Sequence, residues 1–110
     1  MKVKIKLTVN QFRTLVNWVL WSNVYITQTG VTELQILNIQ IFLKLAAKKL
    51  IDVGNIDIYN PTKLRVFSVD VNQYTSIMAL LEHERNELDP LTLAIFITLQ
   101  NQNKQLLHLN

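Results

Sequence analysis

A seven-residue segment near the start of the chain recurs in altered form 62 positions later (71 minus 9). Lys6–Phe12 reads KLTVNQF and Ser68–Tyr74 reads SVDVNQY, so both copies contain Val-Asn-Gln. Thr8 in the first copy corresponds to Asp70 in the second, and both residue types cap helix N-termini. Apolar residues downstream also coincide: Leu15 with Ile77, Val16 with Met78, and Val19 with Leu81. The pattern predicts a strand, a capped turn and an amphipathic helix, used twice.

The agreement continues into a second helix in each copy. Thr32 and Asp89 are the capping residues of these helices, at an offset of 57 (89 minus 32). Because both copies offer the same succession of elements, we expect an internal duplication of a β-α-α unit. The two units cover residues 2–51 and 63–108 and are expected to be related by an approximate two-fold axis.

Strict alternation of lysines with apolar residues marks the first strand. In Lys2–Leu7 every second residue is a lysine, and period two is typical of a half-buried strand. The duplication makes residues 64–69 the equivalent strand and an antiparallel neighbour of the first. A further strand at Ile56–Tyr59 is expected to form a hairpin with it, since Asn60-Pro61-Thr62-Lys63 suits a type I turn.

Capping residues and apolar spacing set the predicted limits of the helices. Gln11 follows Thr8 by three residues, and Gln35 follows Thr32 by three, as in a capping box. The second helix is apolar on nearly all sides, which is typical of a helix that is central or shared with a partner. The four predicted helices are Val9 to about Thr27, Thr32 to about Ile51, about Val71 to Leu88, and Pro90 to about Leu107.

These elements predict a single α+β domain over the 110 residues, mostly helical, in the order β-α-α-β-β-α-α. A small antiparallel sheet of two or three strands would pack beside four helices. The alternative is an essentially all-helical bundle with a two-stranded ribbon.

The composition indicates that part of the protein surface is covered by a partner or a second copy. Hydrophobic residues make up 49% of the chain and charged residues only 17%, so few charges are available to cover the exterior. Some apolar surface is therefore expected to lie against a partner or a second copy. Frequent Asn, Ile and Lys are typical of an AT-rich genome, bacterial or phage.

The chain shows no signal of secretion or of membrane insertion. Its first residues alternate, unlike the apolar core of a signal peptide, and the longest apolar run, Leu91–Leu99, is too short to span a bilayer. We expect a cytoplasmic protein, or one held within a virion or another assembly.

Candidate chemistry is sparse. Gly30 and Gly54 are the only glycines and cannot build a phosphate-binding loop, and without cysteine no disulfide or thiolate metal site can form. His83 and Glu87 lie four residues apart, but a charged helix face in water explains them better than a metal site. We therefore expect no catalytic residue, no cofactor and no metal, and the protein is predicted not to be an enzyme.

Three aromatic residues on the first helix form the candidate partner-binding site. Trp18, Trp21 and Tyr25 fall at i, i+3 and i+7 and so share one face. The positions that the duplication pairs with them hold Leu80, His83 and Glu87, a largely polar set. Because Trp and Tyr dominate contact energies at interfaces, an aromatic face in one copy alone favours a partner there. The alternative is that other parts of the monomer cover these rings.

The sequence thus favours a non-enzymatic structural module for protein–protein interaction, of phage or mobile-element origin. It would assemble as a homo-oligomer or act as an accessory subunit of a larger complex.

The alternative is a nucleic-acid-binding protein, which the formal net charge of +3 permits. A winged helix-turn-helix is disfavoured, because the helix before the hairpin is too apolar to enter a DNA groove. The basic surface of this nucleic-acid-binding alternative would comprise Lys2, Lys4, Lys6, Lys44 and Lys48.

Overall fold

A computed structural model describes residues 1–22, 32–54 and 62–104 of the chain. Within these ranges the fold is mostly helical, with four α-helices and one two-stranded antiparallel sheet, which confirms the predicted α+β class. The predicted strand Ile56–Tyr59 lies outside the described residues. The elements are β1 (Lys2–Leu7), α1 (Val9–Ser22), α2 (Glu33–Gly54), β2 (Arg65–Asp70), α3 (Val71–His83) and α4 (Pro90–Gln102).

The two strands pair antiparallel in the register that places Ile5 opposite Phe67 and Lys2 opposite Asp70. Every second residue of β1 is buried and the lysines between them are exposed, as the alternation predicts. The predicted pairing of the two strands is therefore confirmed. Ile5 and Phe67 are also the residues that the sequence comparison pairs, although the duplication itself stays a prediction.

Side-chain caps explain why the first two helices begin where they do. The Thr8 backbone N–H donates to Oε1 of Gln11 at 2.9 Å, and the Gln11 N–H donates to the Thr8 hydroxyl at 3.1 Å. Thr32 and Gln35 repeat this reciprocal pair at 3.0 and 3.2 Å. Each pair satisfies two backbone donors that the first turn of a helix leaves without partners.

Aspartates cap the other two helices. Asp70 accepts the Asn72 N–H at 2.9 Å, and Asp89 accepts the Thr92 N–H at 2.8 Å. α3 ends at His83, five residues before the predicted limit of Leu88 (88 minus 83), and a short 3₁₀ turn follows. The prediction was wrong because Leu88 and Asp89 are extended, and a residue directly before a proline is disfavoured in the helical region.

The core is centred on the inner face of β2. The ring of Phe67 stacks on that of Phe12 with centroids 4.0 Å apart, and Phe42 meets Phe12 edge-on at 6.2 Å. Four apolar residues that the sequence comparison pairs, Leu15 with Ile77 and Val16 with Met78, are all buried in this core.

The second helix of each predicted unit crosses to the other unit. α2 packs against α3 as well as α1, and α4 packs against α1 and β1. This exchange joins the two units through one core. None of the helices in the described ranges combines the length and apolarity needed to cross a membrane.

Candidate interaction surfaces

The outward face of α2 carries four large aliphatic side chains at helical spacing. Leu34, Leu37, Ile41 and Leu45 are 69%, 53%, 41% and 53% exposed, respectively. These four residues are called the α2 stripe below. They follow the i, i+3, i+7 and i+11 positions, so they form one continuous line on the helix.

The opposite face of α2 already supplies its share of the core. Ile39, Phe42 and Ala46 are buried, while Ile36 and Leu43 pack partly against the same cluster. The α2 stripe is therefore surplus to the packing between α2 and the rest of the described fold. Contiguous apolar surface of this kind marks interaction sites more often than isolated exposed leucines do.

α4 provides an internal comparison for this face. Its residues at the corresponding positions are Leu91, Ala94, Thr98 and Gln102. Buried positions are kept between the two helices, because Ile39 and Phe42 correspond to Phe96 and Leu99, all four of which are buried. The outward positions differ, and three of those four α4 residues are small or polar.

The three aromatic residues selected from the sequence do not behave alike. Trp18 is half-buried and packs against the core, whereas Trp21 is 73% exposed. Tyr25 lies outside the described residues. Leu80, which corresponds to Trp18, is completely buried, and His83, which corresponds to Trp21, is exposed. Position 18 therefore faces inward, and only Trp21 presents its ring to solvent in the described part of this set.

The five lysines of the alternative basic surface are all exposed. Lys2, Lys4 and Lys6 form a row on the outer face of the sheet, opposite Asp70, Ser68 and Val66 of β2. The other two, Lys44 and Lys48, lie on α2. The three strand lysines thus form one aligned set, separate along the chain from the helix pair.

The open edge of β1 is covered by a side chain of α4. The Lys6 N–H donates to Oε1 of Gln102 at 2.8 Å, and Nε2 of Gln102 donates to the Lys6 carbonyl at 2.8 Å. An amide side chain thereby supplies the two bonds that a third strand would supply at this point. We call this pair of bonds the Gln102 clamp.

Beside β2, the described residues form a groove of about 280 Å³ instead. Leu45, the α2 residue that corresponds to Gln102, lines this groove together with Ser68, which corresponds to Lys6. A leucine side chain has no hydrogen-bonding group and cannot clamp a strand edge. The remaining lining residues are Lys2, Phe12, Phe42, Ala46, Lys49, Val66, Phe67, Val69, Asp70 and Gln73.

Among the described residues, the pKa values of Asp89 and Tyr74 are perturbed, and the fold explains both. Hydrogen bonds from the backbone N–H and the hydroxyl of Thr92 hold the pKa of Asp89 below its ordinary value of 3.8. Burial raises the pKa of Tyr74 to about 12, and its hydroxyl donates to the Leu99 carbonyl at 3.2 Å. Asp89 acts as a helix cap and Tyr74 ties α3 to α4.

His83 and Glu87 lie four residues apart in the sequence but are not arranged to bind a metal ion together. His83 is the last residue of α3 and Glu87 belongs to the following 3₁₀ turn, so the two do not share a helix face. No group of three His, Cys, Asp or Glu residues in the described ranges is arranged to hold a metal ion.

The sequence predicts that the second helix is apolar on nearly all sides but not which of its residues are exposed, and it does not predict the β2 groove or the Gln102 clamp. The one available signal for the last two was the correspondence of Leu45 with Gln102 in the internal comparison.

Comparison with protein-family models, curated proteins and solved structures finds no match for this chain.

Proposed function

We propose that this protein is a non-enzymatic structural module for protein–protein interaction, which assembles as a homo-oligomer or as an accessory subunit of a larger complex. The observation that carries the proposal is the exposure of the α2 stripe. A cytoplasmic or virion setting, and a phage or mobile-element origin, belong to the same proposal.

The internal comparison supports a partner for the stripe. α4 takes its place in the core with Ala94, Thr98 and Gln102 at the positions of Leu37, Ile41 and Leu45. A helix in this fold therefore packs with small or polar residues at three of the four positions of the stripe. Since exposed aliphatic side chains favour aggregation, their presence on α2 is best explained by a surface that covers them.

The energetics require more than the four side chains. Completing the burial of the α2 stripe is worth on the order of 5 kcal/mol. Association itself costs about 4 kcal/mol or more in lost translational and rotational freedom. Other exposed apolar residues must therefore contribute as well, and Trp21 on α1, which is 73% exposed, is the largest of them among the described residues.

The experiment compares molar mass by light scattering across a concentration series. We expect the wild-type chain to exceed its 12.8 kDa monomer mass, and Leu37→Glu with Ile41→Lys to return it to the monomer. The control pair, Gln40→Glu with Ala47→Lys, makes the same kinds of charge on exposed α2 positions outside the stripe. Both pairs should keep the thermal midpoint of unfolding within a few degrees, since they leave the buried face intact.

An accessory subunit would be monomeric alone and would co-purify with its complex through the stripe. Co-purification that is lost in the stripe pair and kept in the control pair supports that form of the proposal. A monomer whose co-purifying proteins are the same in wild type and stripe pair would overturn both forms.

The row formed by Lys2, Lys4 and Lys6 favours nucleic acid as the second candidate. Phosphate contacts release counterions, so affinity for a DNA or RNA oligonucleotide would fall steeply between 50 and 200 mM salt. Apolar assembly through the α2 stripe does not weaken with salt in this way. Fluorescence anisotropy on the same samples distinguishes the two candidates.

A further inference from the structure

Charged side chains flank the α2 stripe in a pattern that repeats along the helix. Glu33 directly precedes Leu34, and Lys44 directly precedes Leu45. The two charged residues are 11 positions apart (44 minus 33), and so are the two leucines (45 minus 34), which is about three helical turns. An acidic and a basic side chain therefore lie on the same flank of the stripe, one beside each end.

Glu33 and Lys44 are exposed, and neither forms an ion pair within the described part of the chain. α4 again provides the internal comparison, since it has Pro90 and Asn101 at the corresponding positions. The two opposite charges thus accompany the large aliphatic residues of α2 and do not occur on the helix where most of those residues are replaced.

An antiparallel contact between two copies of α2 matches this pattern. With Leu34 of one copy opposite Leu45 of the other, the two-fold axis passes between Leu37 and Ile41, and both ends of the stripe are covered. Antiparallel helices that face each other bring the same flank of each together. Glu33 of each copy then lies beside Lys44 of the other, and the two-fold symmetry makes this pair occur twice.

A parallel contact is disfavoured by a charge on the other flank. Parallel helices that face each other bring opposite flanks together, as the e and g positions of a parallel coiled coil do. Lys49, five residues after Lys44, lies on the flank away from it. Lys44 of one copy would then approach Lys49 of the other, and like charges across an interface oppose association.

The stripe and its charged flank are thus complementary to themselves, because the two-fold axis exchanges the positions of the acidic and the basic residue. This self-complementarity selects a second copy over a different protein as the occupant. We propose that the α2 stripe docks on the α2 stripe of a second copy in antiparallel orientation, with Glu33 of each copy paired to Lys44 of the other. The inference rests on the assembly proposed above, and it specifies the partner and the geometry of that contact.

Sedimentation equilibrium of charge variants tests the pairing. We expect Glu33→Lys to weaken dimerisation about tenfold, because it replaces two attractive pairs per dimer by two repulsive ones. Lys44→Glu should weaken it to a similar extent in the antiparallel contact, whereas it would tighten a parallel one. Exchanging both charges, Glu33→Lys with Lys44→Glu, should restore the wild-type dissociation constant within about threefold. Both residues are exposed, and far-UV circular dichroism confirms that each variant keeps its helices.

Cysteine cross-linking tests the direction independently, since the chain has no native cysteine. Leu34→Cys in one chain and Leu45→Cys in an affinity-tagged second chain should form a mixed disulfide dimer on mild oxidation. Each variant alone should form little, because its two cysteines would lie roughly 16 Å apart along the antiparallel pair, beyond the reach of a disulfide.

Three results would overturn the proposal. They are a wild-type chain that stays monomeric, a charge exchange that fails to restore dimerisation, and disulfide dimers that form as readily from one cysteine variant as from the mixture. If the stripe pair, Leu37→Glu with Ile41→Lys, still abolishes assembly or co-purification in these cases, the proposed function stands and only the antiparallel self-contact is wrong. Assembly that the stripe pair leaves intact would contradict both proposals.

Discussion

α2 and α4 both contribute buried residues to the core but differ in what they present outward. Phe42 and Leu99 are both buried. The ring of Phe12 meets that of Phe42 edge-on, and the hydroxyl of Tyr74, which corresponds to Phe12 in the sequence comparison, donates to the Leu99 carbonyl. On the outward side α2 has Leu45 where α4 has Gln102. Gln102 hydrogen-bonds Lys6 at the edge of β1, whereas Leu45 lines the groove beside β2.

The difference shows which positions the fold constrains. Inward residues must fill the same space in both helices, so they stay large and apolar. Outward residues are free of that requirement and can serve either the chain itself, as Gln102 does, or a partner, as we propose for the α2 stripe.

The largest effects should come from the shared inward positions. We expect Phe42→Ala to lower the free energy of unfolding by about 3–5 kcal/mol and Leu99→Ala by about 2–5 kcal/mol, since each leaves a cavity. Leu37→Ala, on the outward face of α2, should change it by less than about 0.5 kcal/mol in the monomer. Urea unfolding measures all three, and a large loss for Leu37→Ala would show that the stripe belongs to the monomer core.

A smaller effect distinguishes the two helix starts. Thr32→Ala and Asp89→Ala should each cost about 0.5–2 kcal/mol through loss of a cap. Only the Asp89 contribution depends on pH. Its pKa is lowered on folding, so the contribution is full above the ordinary value of 3.8 and is lost as pH falls through the lower, folded value.

Unfolding midpoints of these two variants at pH 7 and pH 3 test the difference. The gap between wild type and Asp89→Ala should narrow at the lower pH, whereas the gap for Thr32→Ala should stay constant. A gap for Asp89→Ala that is the same at both pH values would show that its carboxylate charge does not stabilise α4.

The smallest effect comes from making the two strand edges alike. Gln102→Leu removes the two bonds of the Gln102 clamp at an exposed site, for a loss of about 1 kcal/mol. It also opens the β1 edge, which should raise self-association at high protein concentration. Gln102→Glu keeps an acceptor for the Lys6 N–H but no donor for its carbonyl, so an intermediate loss is expected from urea unfolding.

Features fixed by residues close in sequence could be predicted. The capping pairs at Thr8 and Thr32 join residues three apart, and period two marked β1, so both followed from local pattern. The pairing of β1 with β2 joins strands distant in sequence, and it was predicted because the expected duplication pairs these two segments.

Features set by outward residues could not be predicted. The Gln102 clamp joins residues 96 apart, and no periodicity identifies an amide that faces a strand edge. Trp18 and Trp21 share a helix face in sequence, yet their exposures differ because the elements packed against α1 cover only part of that face. Exposure of this kind depends on neighbouring elements, which a single helix pattern does not contain.

During synthesis of the chain, β1 cannot receive the two hydrogen bonds of the Gln102 clamp until the end of α4 has been made. A ribosome adds about 5–20 residues per second, so Gln102 emerges roughly 5–20 s after Lys6. Until then the first strand of the nascent chain has at least one bare edge. Lys2, Lys4 and Lys6 carry like charges along that strand, and charged side chains of this kind disfavour edge-to-edge pairing with another chain.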